Sequence, residues 1–177
     1  MEHIIDVTIV GTVPLLQHRF ADEKQTDEPK KVGGKRDYSG EAELALYRLS
    51  DGTIYQPSTH LEGAMLKSAV KFQIGGRGKK TYKDLFKSAI IVSPDAIVHK
   101  NQKWEVDRRA VIVNKGRVMR ERPRFDKWEL DFEIHVMDEQ IPTNMVNAIL
   151  VDAGQYVGIS DYRPKFGRFM VSKFEAK

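Results

Sequence analysis

Hydrophobic and polar residues follow two different periods along this chain, and these periods predict its strands and helices. The clearest strand pattern runs over 128–136, where every second residue is apolar. Residues 3–11 carry apolar side chains on both faces, as a central strand of a sheet does. Apolar residues at helical spacing over 59–72 and 142–153 predict two major helices. Further short strands are predicted at 89–92, at 106–113 and 117–122 as a hairpin, and at 168–174.

The predicted elements follow the order β-α-β-β-α-β, with an inserted hairpin. This order is typical of an α+β, ferredoxin-like fold, in which two helices cover one face of a four-stranded antiparallel sheet. The RNA recognition motif has the same fold, but its aromatic signature is absent from this sequence. We therefore expect a single ferredoxin-like domain over residues 1–177.

Local signals predict where the helices and loops begin and end. Thr59 and Glu62 stand in the capping-box relation, which predicts that the first major helix starts there. The glycines within 75–78 are predicted to end it. Residues 20–40 contain hardly any large apolar side chain and are predicted to form a long mobile loop, followed by a short helix at 41–49.

Composition excludes several classes of protein. With 41% hydrophobic residues in 177, the chain can bury a core, so global disorder is excluded. The absence of cysteine excludes disulfide frameworks, thiolate metal sites and cysteine nucleophiles. No apolar run approaches the ~18 residues that cross a bilayer, and the N-terminus lacks a signal-peptide pattern. We expect a cytoplasmic protein.

Positive charge is concentrated in two stretches of the chain. Residues 71–87 contain six basic residues and one acidic residue, and residues 100–127 contain ten and four. Together they carry +11, and because the net charge is +4 the rest of the chain carries −7. We interpret 74–88 and 100–127 as basic insertions. A localised basic surface is typical of proteins that bind a phosphate backbone, although solvated loops are an alternative reading of the same charges.

Two segments combine glycine with residues suited to binding an anion. Residues 57–67 join a turn to the first major helix, where Gly63 costs about 1 kcal/mol relative to alanine. Either another backbone packs against this glycine or a phosphate approaches the helix N-terminus. Residues 158–169 have glycines near both ends and interleave basic with aromatic side chains. This combination is typical of single-strand binding, unless the aromatic side chains fill the core.

On this fold and in this order, the two segments resemble the RAMP superfamily of CRISPR-associated proteins, specifically the backbone subunits that polymerise along guide RNA. Residues 158–169 are similar to the family's glycine-rich basic loop, and Glu62 stands where the family usually has lysine. The resemblance implies an RNA-binding subunit that assembles side by side along the strand; phage and prophage proteins have a similar pattern. The residues that match the family's motif at the first helix are Pro57, Ser58, Leu61, Gly63, Leu66 and Lys67.

Cations and rings in these segments are the candidate contacts to the strand. Phosphates are expected at Arg77, Lys79, Lys80, Arg108, Arg109, Arg120, Arg122, Arg163, Lys165 and Arg168. Stacking on bases is assigned to Tyr162 or Phe166. At the first helix the candidates are Ser58, Thr59, Gly63 and Lys67. No cofactor or metal is expected. The expected partners are single-stranded RNA or DNA, and other copies of the chain or subunits of a ribonucleoprotein.

Two other functions fit the same residues. A RAMP-type endoribonuclease would use His18 or one of the loop carboxylates Asp22, Asp27 and Asp37. A phage single-stranded DNA-binding or assembly protein would use the basic loops to contact DNA or a protein partner. The five histidines never occur at the spacing of a metal-binding helix, so the sequence does not support a metal centre.

Overall fold

The computed structural model describes residues 3–20, 31–32, 35–36, 40–113 and 116–177. Its strands are β1 (His3–Gly11), β2 (Leu15–Leu16), β3 (Lys31–Val32), β4 (Lys35–Arg36), β5 (Tyr55–Pro57), β6 (Ile90–Ser93), β7 (Ala96–Val98), β8 (Glu105–Val113), β9 (Gly116–Phe125), β10 (Glu129–Val136) and β11 (Phe169–Ala176). Its helices are α1 (Glu41–Leu44), α2 (Ser58–Ala69), α3 (Lys83–Ala89) and α4 (Thr143–Asp152), and a π-helical turn (Ala153–Val157) extends α4.

The main sheet has four antiparallel strands in the order β11-β1-β10-β6. β1 is a central strand, and its Val7 lies opposite Phe132 on one side and Phe174 on the other. The chain passes through α2 between β1 and β6, and through α4 between β10 and β11. These elements confirm an α+β fold with an antiparallel sheet.

The hydrophobic core lies between one face of this sheet and the two longer helices. Alternate residues of β1 and β10 point into it, so that Ile9 and Leu130 are fully buried. Leu61 of α2 and Ile149 of α4 complete the same core from the other side. The other face of β1 is only partly covered, although its sequence pattern predicts a strand with two apolar faces.

Smaller sheets surround this core. The predicted hairpin forms as β8 and β9, and its second strand is four residues longer than the sequence predicts. β2 pairs with the other side of β9. β5 pairs with β7, and β3 pairs with β4. Most of the loop predicted at 20–40 lies outside the described residues. Within the described residues, no helix has the length and apolar character to span a membrane.

The predicted capping box is wrong. α2 begins at Ser58, with Pro57 as the N-cap residue and no side chain capping its amides. The Glu62 carboxylate instead accepts a hydrogen bond from the backbone amide of Val92 at 2.9 Å. Glu62 therefore joins α2 to the sheet, and it is not available to fold back onto the start of its own helix.

Other predicted helix boundaries also differ from the structure. α2 ends at Ala69, before the glycines at 75–78, and the basic insertion at 74–88 contains α3, which the sequence pattern does not predict. The short helix expected at 41–49 is limited to α1. Gly154 does not stop the fourth helix, because the chain continues through it as a π-helical turn.

Candidate functional site

The glycine-bounded loop, residues 158–169, is a closed turn held against the start of the chain. Gly158 and Gly167 have positive φ values of 74° and 75°, which glycine adopts without strain. The amide of Ile159 donates to the Gly167 carbonyl at 2.9 Å, which closes the loop. The Gly167 amide donates to the Pro14 carbonyl at 2.9 Å, and the Asp161 amide donates to the Leu16 carbonyl at 3.0 Å. These bonds fix the position of the side chains that the loop presents.

The cations of this loop differ in how they are paired. Arg163 and Lys165 are exposed, and neither side chain has a hydrogen-bond or ion-pair partner among the described residues. Arg168 donates from Nε to the Pro164 carbonyl at 2.7 Å and remains partly exposed. Arg163 and Lys165 are therefore the loop cations that can bind an external anion without losing a described hydrogen bond or ion pair.

The two aromatic residues of the loop that the sequence suggests for stacking differ in how exposed their rings are. Phe166 is only 6% exposed, whereas Tyr162 is 43% exposed. The guanidinium of Arg109 lies 4.7 Å from the centre of the Phe166 ring and 5.6 Å from that of Tyr162. A cation over an aromatic face is attracted to it and covers it. Phe166 does not present the exposed ring that base stacking requires, because it is buried and covered by Arg109.

Every hairpin arginine that the sequence assigns to phosphate contacts faces a carboxylate in the structure. A phosphate would have to displace or share these partners. Arg122 is also buried, so we leave it out of the candidate surface. The pairs are Arg108 with Glu121 (3.5 Å), Arg109 with Asp107, Arg120 with Glu41 (2.5 Å) and Arg122 with Asp161 (2.5 Å).

The candidate residues at the start of α2 are partly available. Ser58 is buried and its amide donates to the Asp95 carbonyl at 2.9 Å, whereas Thr59, Gly63 and Lys67 are exposed. A Cβ at Gly63 would meet nothing within 4 Å of the described residues. Close packing of another backbone therefore does not account for this glycine.

Three partly exposed rings, Tyr47, Tyr55 and His60, form a cluster that the sequence analysis missed; we call it the ring cluster. The Tyr47 ring centre lies 5.8 Å from that of Tyr55 and 5.5 Å from that of His60. Burial, followed by the charge of Arg163, lowers the pKa of His60. Burial raises the pKa of Tyr47, and the charge of Arg19 lowers this pKa by a smaller amount. The charges of two exposed arginines, Arg163 and Arg19, thus act on members of the ring cluster.

A buried polar network lies beneath the ring cluster. The side-chain amide of Gln17, which is 0% exposed, donates to the Tyr55 carbonyl at 2.9 Å and to Gln56 Oε1 at 3.2 Å. Its oxygen accepts from the Tyr47 amide at 3.1 Å. Gln56 also bonds to Nδ1 of His60. One side chain thus fixes the backbone at two of the three rings, and a neighbour holds the third.

The remaining predicted residues lie elsewhere or outside the described part of the chain. Arg77 donates to the side chain of Gln140 at 2.6 Å, and Lys79 and Lys80 are exposed on the same turned segment between α2 and α3. His18 is exposed, and no described hydrogen bond or ion pair involves its ring. Asp22, Asp27 and Asp37 are outside the described residues. Among the described residues, no group of His, Asp and Glu could hold a metal ion.

The open face of the main sheet is acidic. Asp6, Asp131 and Glu133 lie on it, and lysines pair with them: Lys177 Nζ is 3.0 Å from Asp6 and 2.7 Å from Glu133, and Lys100 is 2.8 Å from Asp131. Carboxylates repel phosphates, and no exposed ring is placed among them. This face therefore differs in chemistry from the aromatic sheet face of an RNA recognition motif.

Comparison with known proteins gives matches among solved structures. A scan against family models and a search of curated proteins found no match. Among solved structures, the fold is similar to a chain in the cryo-EM structure of the Type III-B Cmr-beta bound to cognate target RNA, with a TM-score of 0.59 and 12% sequence identity. The match covers 99% of this chain and 60% of that chain, so this chain spans less than two thirds of its length. At this identity the likeness shows the fold alone.

Proposed function

We propose that this protein binds single-stranded RNA as one subunit of a ribonucleoprotein, along the surface formed by the glycine-bounded loop, the start of α2 and Arg19. The observation that carries the proposal is the position of unpaired cations. Arg163 and Lys165 project from a loop whose backbone is fixed, and Arg163 acts electrostatically on His60 at the start of α2. This charge effect supports a binding surface that combines the two segments that the sequence singles out.

The fold supports the same proposal. The strand order is β11-β1-β10-β6. Along the chain, α2 lies between β1 and β6, and α4 lies between β10 and β11. This arrangement is the one expected for a ferredoxin-like fold. The similar chain belongs to a structure described as bound to target RNA. We infer that this chain is a RAMP-like protein whose RNA lies over the loop and helix. Side-by-side assembly along the strand is part of the proposal and stays a prediction.

The proposed mechanism of binding is electrostatic. Arg163, Lys165 and Arg19 contact successive phosphates, and release of the counterions around the strand supplies most of the free energy. Arg108, Arg109, Arg120 and Arg122 contribute less, because each of these four already faces a carboxylate. Thr59 and Gly63 leave the side of α2 open to a phosphate or sugar.

The proposal is tested by the double variant Arg163→Ala/Lys165→Ala, measured by fluorescence anisotropy with a labelled single-stranded RNA at several salt concentrations. Loss of two contacts should weaken binding and flatten the slope of log K against log salt by about 1.4, at about 0.7 per phosphate contact. Both side chains are exposed, so the variant should fold normally.

The matched control is Lys103→Ala/Lys127→Ala, which removes the same charge from two exposed lysines without a described contact to the loop. This control should keep the slope of the unmodified protein. Equal slopes for the loop variant and the unmodified protein would refute RNA binding at this loop. Equal weakening by both variants would show that only net charge matters.

A further inference from the structure

We propose that the ring cluster of Tyr47, Tyr55 and His60 is a nucleobase-binding site, in which one unstacked base of the RNA packs against the Tyr47 ring. The inference rests on the proposed function, and it adds a binding site for the nucleobase to the proposed contacts with the phosphates. The geometry that points to it is a group of three partly exposed rings, in which the Tyr47 ring centre lies 5.8 Å from that of Tyr55 and 5.5 Å from that of His60. The charges of two exposed arginines, Arg19 and Arg163, act on this group.

The angles between the rings leave aromatic surface uncovered. The plane of Tyr47 is inclined by 64° to that of Tyr55 and by 85° to that of His60, so no pair stacks in parallel. All three side chains are partly exposed. Every nucleobase has an aromatic face, and stacking on a protein ring is therefore tolerant of sequence. A base can meet this cluster without displacing a ring that is already stacked.

The ring cluster is held rigidly from below. Gln17 accepts from the Tyr47 amide and donates to the Tyr55 carbonyl, and the Tyr55 amide donates to the Tyr47 carbonyl at 3.0 Å. Burying a polar side chain is costly unless its hydrogen bonds are made, and here they are made to the backbone of two rings. A platform fixed in this way loses little conformational entropy when a base binds.

Electrostatics also favour an uncharged base between charged phosphates. Burial and Arg163 keep His60 neutral near pH 7, so its ring adds no charge to the cluster. Arg19 and Arg163, whose charges act on the ring cluster, are expected to contact the phosphates next to a bound base. The carboxylate of Asp161, which would repel a phosphate, is paired with the buried Arg122.

The ring cluster adds to the rings that the sequence suggests for stacking. Phe166 is buried beneath the guanidinium of Arg109, and the same guanidinium lies 5.6 Å from the centre of the Tyr162 ring, which remains 43% exposed. The two sets differ in what they offer a base. Tyr162 and Phe166 have a cation over them that is itself held by Asp107, whereas no described cation lies over the Tyr47 ring.

The test compares two strands of equal length, one an RNA of adenosines and the other with its bases replaced by abasic sites. The unmodified protein should bind the adenosine strand about tenfold more tightly, a difference of about 1.4 kcal/mol. Tyr47→Leu keeps an apolar side chain and all backbone hydrogen bonds, and it should reduce this ratio towards one without changing the salt slope. The matched control is Tyr156→Leu, which removes a ring that is 55% exposed and contacts Lys71.

The outcomes separate the inference from the proposed function. Equal affinity of the unmodified protein for both strands would overturn the base site, and this comparison does not depend on the folding of any variant. An unchanged ratio in Tyr47→Leu would also overturn it. In either case weaker binding of both strands by Arg163→Ala/Lys165→Ala would leave the proposed function standing. Failure of the unmodified protein to bind either strand would overturn both.

Discussion

The buried histidine His99 should make this protein less stable in acid. The ring is 1% exposed and stacks on Phe125 with 4.8 Å between centres. Its Nε2 lies 3.3 Å from the side-chain nitrogen of Gln17. The backbones of Tyr47 and Tyr55 fix the orientation of that amide, so a donor nitrogen, which shares its two hydrogens among Tyr55, Gln56 and His99, faces His99 Nε2. A protonated ring would place two donors against each other.

The size of the effect follows from the pKa. Burial lowers the pKa of His99 from 6.5 to about 4. The unfolded chain binds a proton at this residue below pH 6.5 and the folded chain does not, so the free energy of unfolding falls as the pH drops from 6.5 to about 4. At about 1.36 kcal/mol per pH unit the full loss is about 3.4 kcal/mol, of which about 2 kcal/mol is reached at pH 5.

Urea denaturation at pH 7.5 and pH 5.0 measures this loss. His99→Gln should lose about 2 kcal/mol less than the unmodified protein between the two pH values, because the carboxylates titrate alike in both. His18→Gln is the matched control, since His18 is exposed, and it should lose as much as the unmodified protein. Equal losses for His99→Gln and the unmodified protein would refute a neutral, buried His99.

Two further predictions concern glycines. Gly63→Ala should raise the free energy of unfolding by about 0.5–1 kcal/mol in urea denaturation, because Gly63 lies in α2 with open space around it, and it should weaken RNA binding if the strand passes there. Gly167→Ala should lower the melting temperature sharply, since its Cβ would lie 1.9 Å from the Ile159 carbonyl oxygen at φ +75°; Gly78→Ala, at φ +63° with nothing within 4 Å, is the control and should show only the conformational cost of about 1–2 kcal/mol. Similar losses in both variants would contradict the clash at Gly167.

The strands of the main sheet could be predicted because their signal is local. β10 alternates apolar and polar residues over its whole length, and the structure buries every second residue of it. β1 carries apolar residues on both faces and is a central strand as predicted. The start of α2 could not be placed in the same way, because Glu62 has the spacing of a cap but bonds to Val92, 30 residues away.

The candidate site depends on contacts between distant segments. Gln17 holds Tyr47 and Tyr55 together and Gln56 holds His60, and no spacing in the sequence indicates that a glutamine near the start of the chain lies beneath these rings. The position of Tyr47 and Tyr55 on either side of a turn was the available signal. Arg19 has no motif around it and gave none.

The number of charged residues can be read from the sequence, but the sequence does not show which of these charges form ion pairs in the folded protein. The stretch 100–127 has the largest excess of basic residues, and five of its arginines face carboxylates in the structure. Two of these carboxylates, on Glu41 and Asp161, come from outside that stretch. Arg163 and Lys165, which lie in a less basic stretch, are exposed without a described partner.

The π-helical turn at Ala153–Val157 determines the direction in which the chain leaves α4 and enters the glycine-bounded loop. The Gly158 amide donates to the Ala153 carbonyl at 2.8 Å, five residues back, so the turn holds one residue more than an α-helical turn would. Gly154 has room only for a hydrogen, because a Cβ there would lie 2.4 Å from the Phe169 carbonyl oxygen. Deleting one residue here would rotate the exit of the chain by about 100° around the helix axis. In related sequences, the distance from Leu150 to Gly158 should therefore stay constant while insertions and deletions fall elsewhere.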